Sequence, residues 1–172
     1  METKTSFPAP PDANLIANED ARQFFLDGYD EHMNGQIEEA MNLYQKSYEV
    51  FPSAQSLTFL GWAHSMRKNF ETAIDLCEKA IQLDPEYGNP YNDIGAYLIE
   101  LSQHDKAIPW LEKAVLAKKY SYKHNAYFNL GRAYQHKNLI KKALTCFEAA
   151  LKINPNFKHA SDALDSIQMS LN

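Results

Sequence analysis

Six histidines, two cysteines and a scatter of carboxylates are the side chains of this 172-residue chain suited to binding a metal or attacking an electrophile. Their spacing assembles neither chemistry. His32, His64, His104, His124, His136 and His159 share no helical face and no partner acid, and neither H-E-x-x-H nor C-x-x-C occurs, the spacings that bring ligands onto one zinc ion. A loop that cradles phosphate needs clustered glycines, whereas the six here are never closer than seven residues apart. No G-x-S-x-G elbow and no calcium-loop run of acids is present. Cys77 and Cys146 lie sixty-nine residues apart, each inside an apolar pattern of helical period. They read as small hydrophobes kept reduced rather than as a disulfide or a nucleophile. The expectation is a non-enzymatic chain with no catalytic residue, no metal and no cofactor.

Composition narrows the class further. Hydrophobic residues make up 45% and charged residues 23%, the balance of one soluble globular domain. The net charge of −5 argues against nucleic acid as a partner, because no bulk positive charge is available to neutralise phosphates. No run approaches eighteen apolar residues, so no membrane span is expected. Met1–Pro8 lacks the basic-then-apolar order of a secretory leader, and the expected address is the cytoplasm. Charge is uneven along the chain: residues 1–100 hold six Lys/Arg against seventeen Asp/Glu, and residues 101–172 hold eleven against five. Lys118, Lys119, Lys123, Lys137, Lys141 and Lys142 form a candidate basic patch, for an acidic partner segment or for weak head-to-tail self-association through opposite-charge ends.

The elements that position these residues come from an internal repeat. Gly28, Gly61, Gly95 and Gly131 are spaced by 33, 34 and 36, and Ala40, Ala73, Ala107 and Ala143 by the same intervals. The fourth copy is the clearest, Tyr127-x-x-Leu130-Gly131-x-x-Tyr134, then Ala143-x-x-x-Phe147, Ala150 and Pro155. The second reads Leu57-x-x-Leu60-Gly61-x-x-His64, Ala73-x-x-x-Cys77, Ala80 and Pro85. The third reads Tyr91-x-x-Ile94-Gly95-x-x-Leu98, Ala107-x-x-x-Leu111 and Ala114, with Lys119 in place of proline. The first is the weakest: Phe24-x-x-Asp27-Gly28-x-x-Glu31, Ala40-x-x-x-Tyr44, Ser47 and Pro52.

Each copy is a pair of helices on physical grounds alone. Apolar residues at i, i+3 and i+7 make one stripe, and the glycine at i+4 lets a second helix approach closely. That approach has to offset about 1 kcal/mol of lost helix propensity. Asn34-Gly35 and Lys137-Asn138 suit turns with left-handed backbone, while Lys68-Asn69 and Gln103-His104 are polar and exposed. Pro109 is expected in the first turn of a helix starting near Asp105, and residues 118–124 are expected to make a longer or hooked connection. Asn18 is a candidate N-cap before Glu19-Asp20. Phe157, Ala160, Leu164, Ile167 and Leu171 are spaced as one apolar helix stripe that would cover the end of the last repeat.

The pattern resembles the tetratricopeptide repeat family, W-x₂-L-G-x₂-Y…A-x₃-F…P every 34 residues, over about residues 19–157. The resemblance implies an all-α fold: a right-handed α-solenoid of four helix-turn-helix repeats, at about 21–53, 54–87, 88–121 and 124–157. A capping helix at about 158–171 and a flexible proline-containing arm at 1–18 complete the expected organisation. It also implies a protein-interaction module, an adaptor or scaffold that holds a peptide segment of a partner in a concave groove lined by the first helix of each repeat. Carried onto this chain, the groove positions are Arg22, Phe25, Tyr29, Thr58, Trp62, Asn89, Asn92, Asn125, Phe128 and Arg132. The alternative for these aromatics is packing against neighbouring helices or the N-terminal arm. The clamp for acidic chaperone tails is absent, because Phe25, Tyr29 and Phe59 stand where lysine and asparagine would be. The chain is similar to small stand-alone bacterial repeat proteins. Alternatives are a type III secretion-type chaperone for an exported protein, or an enzyme whose site is built across repeats.

Overall fold

A computed structural model describes residues 10–171 of the chain. Among the described residues there are nine α-helices, one 3-10 helix and no strand. The chain divides into two compact units, one ending at Pro85 and one beginning at Glu86. The first holds the 3-10 helix Pro11–Leu15, α1 (Glu19–Met33), α2 (Ile37–Val50), α3 (Ala54–Met66) and α4 (Phe70–Leu83). The second holds α5 (Asn89–Glu100), α6 (His104–Leu116), α7 (Lys123–His136), α8 (Ile140–Ile153) and α9 (Lys158–Leu171). Consecutive helices pair as α1–α2, α3–α4, α5–α6 and α7–α8, and α9 packs on α8. The all-α class of helix-turn-helix repeats follows directly.

The glycines mark where the helices of each pair come closest. A Cβ placed on Gly131 would lie 2.4 Å from the Phe147 ring, and one on Gly95 would lie 2.4 Å from Leu111 Cγ. On Gly28 it would lie 2.9 Å from the Tyr44 ring. In the second repeat the opposing residue is Cys77, and the nearest atoms are the Ala73 carbonyl oxygen at 3.1 Å and Cys77 Sγ at 3.4 Å. Ala40, Ala73, Ala107 and Ala143 are fully buried, as are Tyr44, Cys77, Leu111 and Phe147. Cys77 thus serves as a small packing residue. Cys146 is half-buried, and neither is in a disulfide.

Every turn within a pair ends its first helix in the same way. Gly35, Lys68, Ser102 and Asn138 all have positive φ, at 80°, 60°, 58° and 57°. The amide of the following residue reaches back five residues: Gln36 to Glu31 at 2.8 Å, Asn69 to His64 at 3.0 Å, Gln103 to Leu98 at 2.8 Å and Leu139 to Tyr134 at 2.9 Å. This bond closes the helix end only if the preceding residue turns left-handed. Left-handed backbone was expected at the Gly35 and Asn138 turns alone. The hydrogen bond imposes it on Lys68 and Ser102 as well.

In the first unit the N-cap expectation holds, with the Asn18 side chain accepting from the Ala21 amide at 2.9 Å. Ser47, where other copies carry alanine, is fully buried and fully engaged. Its hydroxyl donates to the Ala21 carbonyl at 2.7 Å and meets Ser56 at 2.7 Å, while Ser56 meets Ser53, the cap of α3, at 2.7 Å. Of the arm expected at 1–18, residues 1–9 lie outside the described residues. Residues 10–18 depart from a flexible arm: Ala13 and Ile16 are buried in the first core with Phe25, Tyr44, Phe59 and Leu60. Their apolar side chains gain more from that cluster than from water.

In the second unit the connection between the pairs is hooked, as its length suggested. The Lys119 amide donates to the Glu86 carbonyl at 3.0 Å, and the Gly88 amide donates to the Lys119 carbonyl at 3.0 Å, an isolated parallel bridge. Only glycine fits at 88, because a Cβ there would lie 2.4 Å from Tyr120 Cβ. Pro109 sits deeper than expected. With Gln103 as N-cap it is the sixth residue of α6, so the helix gives up one internal bond to the Asp105 carbonyl. The capping helix packs as its spacing implied, with Phe157, Ala160, Leu164 and Ile167 against Ala143, Phe147 and Ala150. The Leu171 side chain lies outside the described residues.

Two stability predictions follow from this geometry. Gly131→Ala and Gly95→Ala should each cost about 1–2 kcal/mol, since overpacking a buried ring or branch outweighs the propensity gained. Gly61→Ala, opposite the small Cys77, should be close to neutral. Thermal denaturation followed by circular dichroism ranks the three, and an equal loss at 61 and 131 would contradict the steric account. Ser102→Gly should raise stability by about 1 kcal/mol by relieving left-handed strain, a rise of about 2–4 °C in Tm.

Candidate peptide-binding face

α1 and α3, the first helices of the first two repeats, carry five of the expected groove residues. Phe25 is not on an open surface. It is fully buried, 4.7 Å ring to ring from Phe59 and 5.6 Å from Tyr44. Thr58 is also buried, its hydroxyl donating to the Ala54 carbonyl at 2.7 Å. Both expectations are corrected: each side chain lies inside the first unit, Phe25 against the Tyr44 and Phe59 rings and Thr58 turned back onto the backbone of α3. Arg22, Tyr29 and Trp62 are half-buried. Tyr29 packs edge-on to Phe59 at 6.1 Å, and Trp62 meets Phe59 at 5.7 Å and the His32 imidazole at 3.8 Å.

His32 is the most perturbed group here. It is buried, its Nδ1 lies 3.3 Å from the Tyr44 hydroxyl, and its Nε2 has no hydrogen-bond partner. Burial pushes its pKa down to about 4, because a charged imidazole would lose its water without gaining an anion. Burial likewise raises the Tyr44 phenol, with Tyr29 and Asp30 adding to it. Both groups are neutral near pH 7, so the aromatic cluster itself carries no charge.

α5 and α7 pack directly on each other and present a different chemistry. Asn129 Nδ2 donates to Asn92 Oδ1 at 3.0 Å, and both asparagines are only 8% exposed. Arg132 donates to Asn129 Oδ1 at 3.3 Å and to Glu100 at 2.8 Å, while Asn92 Nδ2 donates to Asp93 at 3.1 Å. This chain of bonds fixes which edge of each amide faces out, and each NH₂ keeps one further proton to give. Asn125 is half-buried on α7, and Asn89 donates to the Tyr87 hydroxyl at 3.0 Å. Phe128 is turned toward the capping helix, with Phe147 at 5.7 Å, Phe157 at 5.4 Å and His159 at 5.9 Å. The packing alternative therefore accounts for Phe128.

Asn129, Glu100 and Phe59 are the residues that position-matching passed over. Asn92 and Asn129 are 37 residues apart, one more than the local repeat interval, because crossing helices bring unlike positions into register. The candidate basic patch is partly spent inside the fold. Lys118 pairs with Glu86, Lys137 pairs with Asp105, and Lys142 sits over the Tyr134 ring at 5.2 Å. His104 and His136 stack in parallel at 4.4 Å; burial first, then His136, holds the His104 pKa below its usual value. Among the described residues no three His, Cys, Asp or Glu side chains converge, and no helix is long and apolar enough to cross a membrane.

Paired helices, a small residue at each crossing and side chains gathered on the first helices define an α-helical repeat protein. The family comparison is more specific. The tetratricopeptide repeat matches residues 54–87 and 124–157, and a second profile of the same repeat matches 76–108. The chain belongs to the tetratricopeptide repeat family. It is 33% identical over 101 residues to the cell division cycle protein 27 homolog of Caenorhabditis elegans, covering 59% of this chain and 13% of that protein. It is 33% identical over 121 residues to the chloroplastic tetratricopeptide repeat domain-containing protein PYG7 of Arabidopsis thaliana, covering 67% and 39%. The chain thus spans well under half of either relative. Among solved structures, PilF of Pseudomonas aeruginosa superposes with a TM-score of 0.78 at 22% identity, over 89% of this chain and 71% of that one.

The buried imidazole gives a pH prediction. His32 binds a proton near pH 6.5 when unfolded but only near pH 4 when folded, so its contribution is present above about 6.5 and is lost as pH falls toward 4. The loss is about 3 kcal/mol at most. His64, His104 and His124 shift in the same direction, so the readout is a difference between proteins. Denaturation midpoints at pH 4.5 and 7 should fall less in His32→Gln than in the wild type.

Proposed function

We propose that this chain is a protein-interaction module of adaptor type whose recognition strip runs along α5 and α7. Asn92, Asn129 and Arg132 are its contacts, with Asn125 beside them and no catalytic role for any. The observation that carries this reading is the Asn92–Asn129 pair, two buried amides locked by Arg132 and Asp93 with protons left to donate. Fixed amide donors suit the carbonyls of an extended backbone, because their orientation is set before the ligand arrives. Arg132 is already paired with Glu100 and Asp93 lies in the same network, so the strip does not select an acidic segment and reads a partner through its backbone.

Display of a random peptide library on the immobilised full chain, followed by calorimetry with a selected peptide, tests the reading. Arg132→Ala, a half-exposed position, should weaken the selected peptide about tenfold, or about 1.4 kcal/mol, without changing the circular dichroism spectrum. Asn129→Ala should weaken it at least as much. Selected peptides that bind both variants as tightly as the wild type would remove the strip as the site.

A further inference from the structure

Three pairs of side chains join the last turn of α7 to the turn between α5 and α6, all in one register of 32 residues. Arg132 pairs with Glu100 at 2.8 Å, His136 stacks on His104, and Lys137 pairs with Asp105. The outer two pairs are ionic and the middle one is not. Its rings lie 4.4 Å apart and 14° from parallel. Arg132, one helical turn before His136, also donates to Asn129, so this seam adjoins the amide chain of the α5–α7 strip.

The charges around the stack come from all three helices. Glu100 ends α5, Asp105 opens α6, and Arg132 and Lys137 stand on and just after α7. Lys106 of α6 is turned to the Gln103 side chain, 2.9 Å away. Two carboxylates and two cations therefore balance across the seam, and the imidazoles decide its sum. Burial first, then His136, holds the His104 pKa down; Asp105 opposes them and Arg132 adds to them. The first proton on the stack meets a neutral ring. The second meets a like charge 4.4 Å away with Arg132 close by, so the pair takes up its protons in two steps.

We propose that the His104–His136 stack is an acid-responsive element of the α5–α7 strip, which turns it cationic in mildly acidic solution and so adds acidic segments to those it accepts. This rests on the strip's being the peptide site and supplies its regulation. Near neutral pH the seam is balanced, and a partner is read through its backbone. In acid it carries up to two further positive charges beside Arg132, and glutamates flanking the same backbone are attracted. The seam is partly exposed, so salt screens that attraction.

Two measurements on the full chain test this. Magnetic resonance titration of the imidazole carbon protons follows each ring with no ligand present. His136→Gln should raise the His104 midpoint by about half a pH unit or more, the scale of two unit charges about 4 Å apart in water. An unmoved midpoint means that the rings do not sense each other and overturns the proposal. The second measurement uses a peptide from the library selection, flanked at each end by three glutamates or by three glutamines. Calorimetry at about 0.05 M salt compares the two at pH 7.5 and 5.5, where glutamate stays ionised. In the wild type their affinity ratio should move about fivefold or more toward the glutamate peptide at pH 5.5. That movement should vanish at about 0.5 M salt. In the His104→Gln, His136→Gln double variant it should stay under about twofold, while the glutamine peptide binds as in the wild type at pH 7.5. A ratio that does not move in the wild type, or that moves as far in the double variant, sinks the idea. Failure of the strip itself reads differently: Arg132→Ala then leaves the glutamine peptide's affinity at pH 7.5 unchanged.

Discussion

The close crossing of two helices at a glycine is the constraint on which the rest depends. Gly131 against Phe147 and Gly95 against Leu111 leave no room for one added carbon. The crossing fixes which residues of the second helix can be large, and it forces alanine at 40, 73, 107 and 143. It also sets the turn. Once two helices cross this closely, the chain has few residues in which to reverse, and a left-handed residue at 35, 68, 102 or 138 lets the amide that follows close the helix end. Packing, capping and repeat length are one geometric condition seen at three points.

That condition is why so much of the fold could be read without coordinates. Glycine and alanine at shared intervals leave a mark in the sequence because a Cβ at 28, 95 or 131 would run into the facing side chain. The turns left a weaker mark. A single hydrogen bond tolerates lysine or serine at positive φ at modest cost, so Lys68 and Ser102 carried no signal in their residue type. Pro109 misled by one turn, since a missing donor at the sixth position costs one bond and does not end the helix.

The binding faces were less legible, for a different reason. Position-matching assumes that each first helix shows the same stripe to the groove. Phe25 fails that assumption because Tyr44 and Phe59 of the neighbouring helices and Ala13 and Ile16 from outside the repeat share its cluster, and Thr58 because it is buried with its hydroxyl on its own helix backbone. Phe128 fails it because the start of the capping helix brings His159, and Phe157 just before it, over the ring. Asn92 and Asn129 belong together, yet stand at unlike positions of their repeats. Contacts between neighbouring repeats depend on the crossing angle, which spacing alone does not carry.

The join between the second unit's helix pairs has a bearing on how the protein could diverge. Its register rests on backbone groups of Glu86, Gly88 and Lys119, while the Lys118 side chain is 79% exposed. Every residue type but proline supplies both an amide proton and a carbonyl. Codon changes at 118 and 119 would therefore leave the join standing, whereas Gly88 and Tyr120, which fit one another sterically, are bound to drift together or not at all. Surface chemistry here can be rewritten by mutation while the scaffold beneath it stays silent.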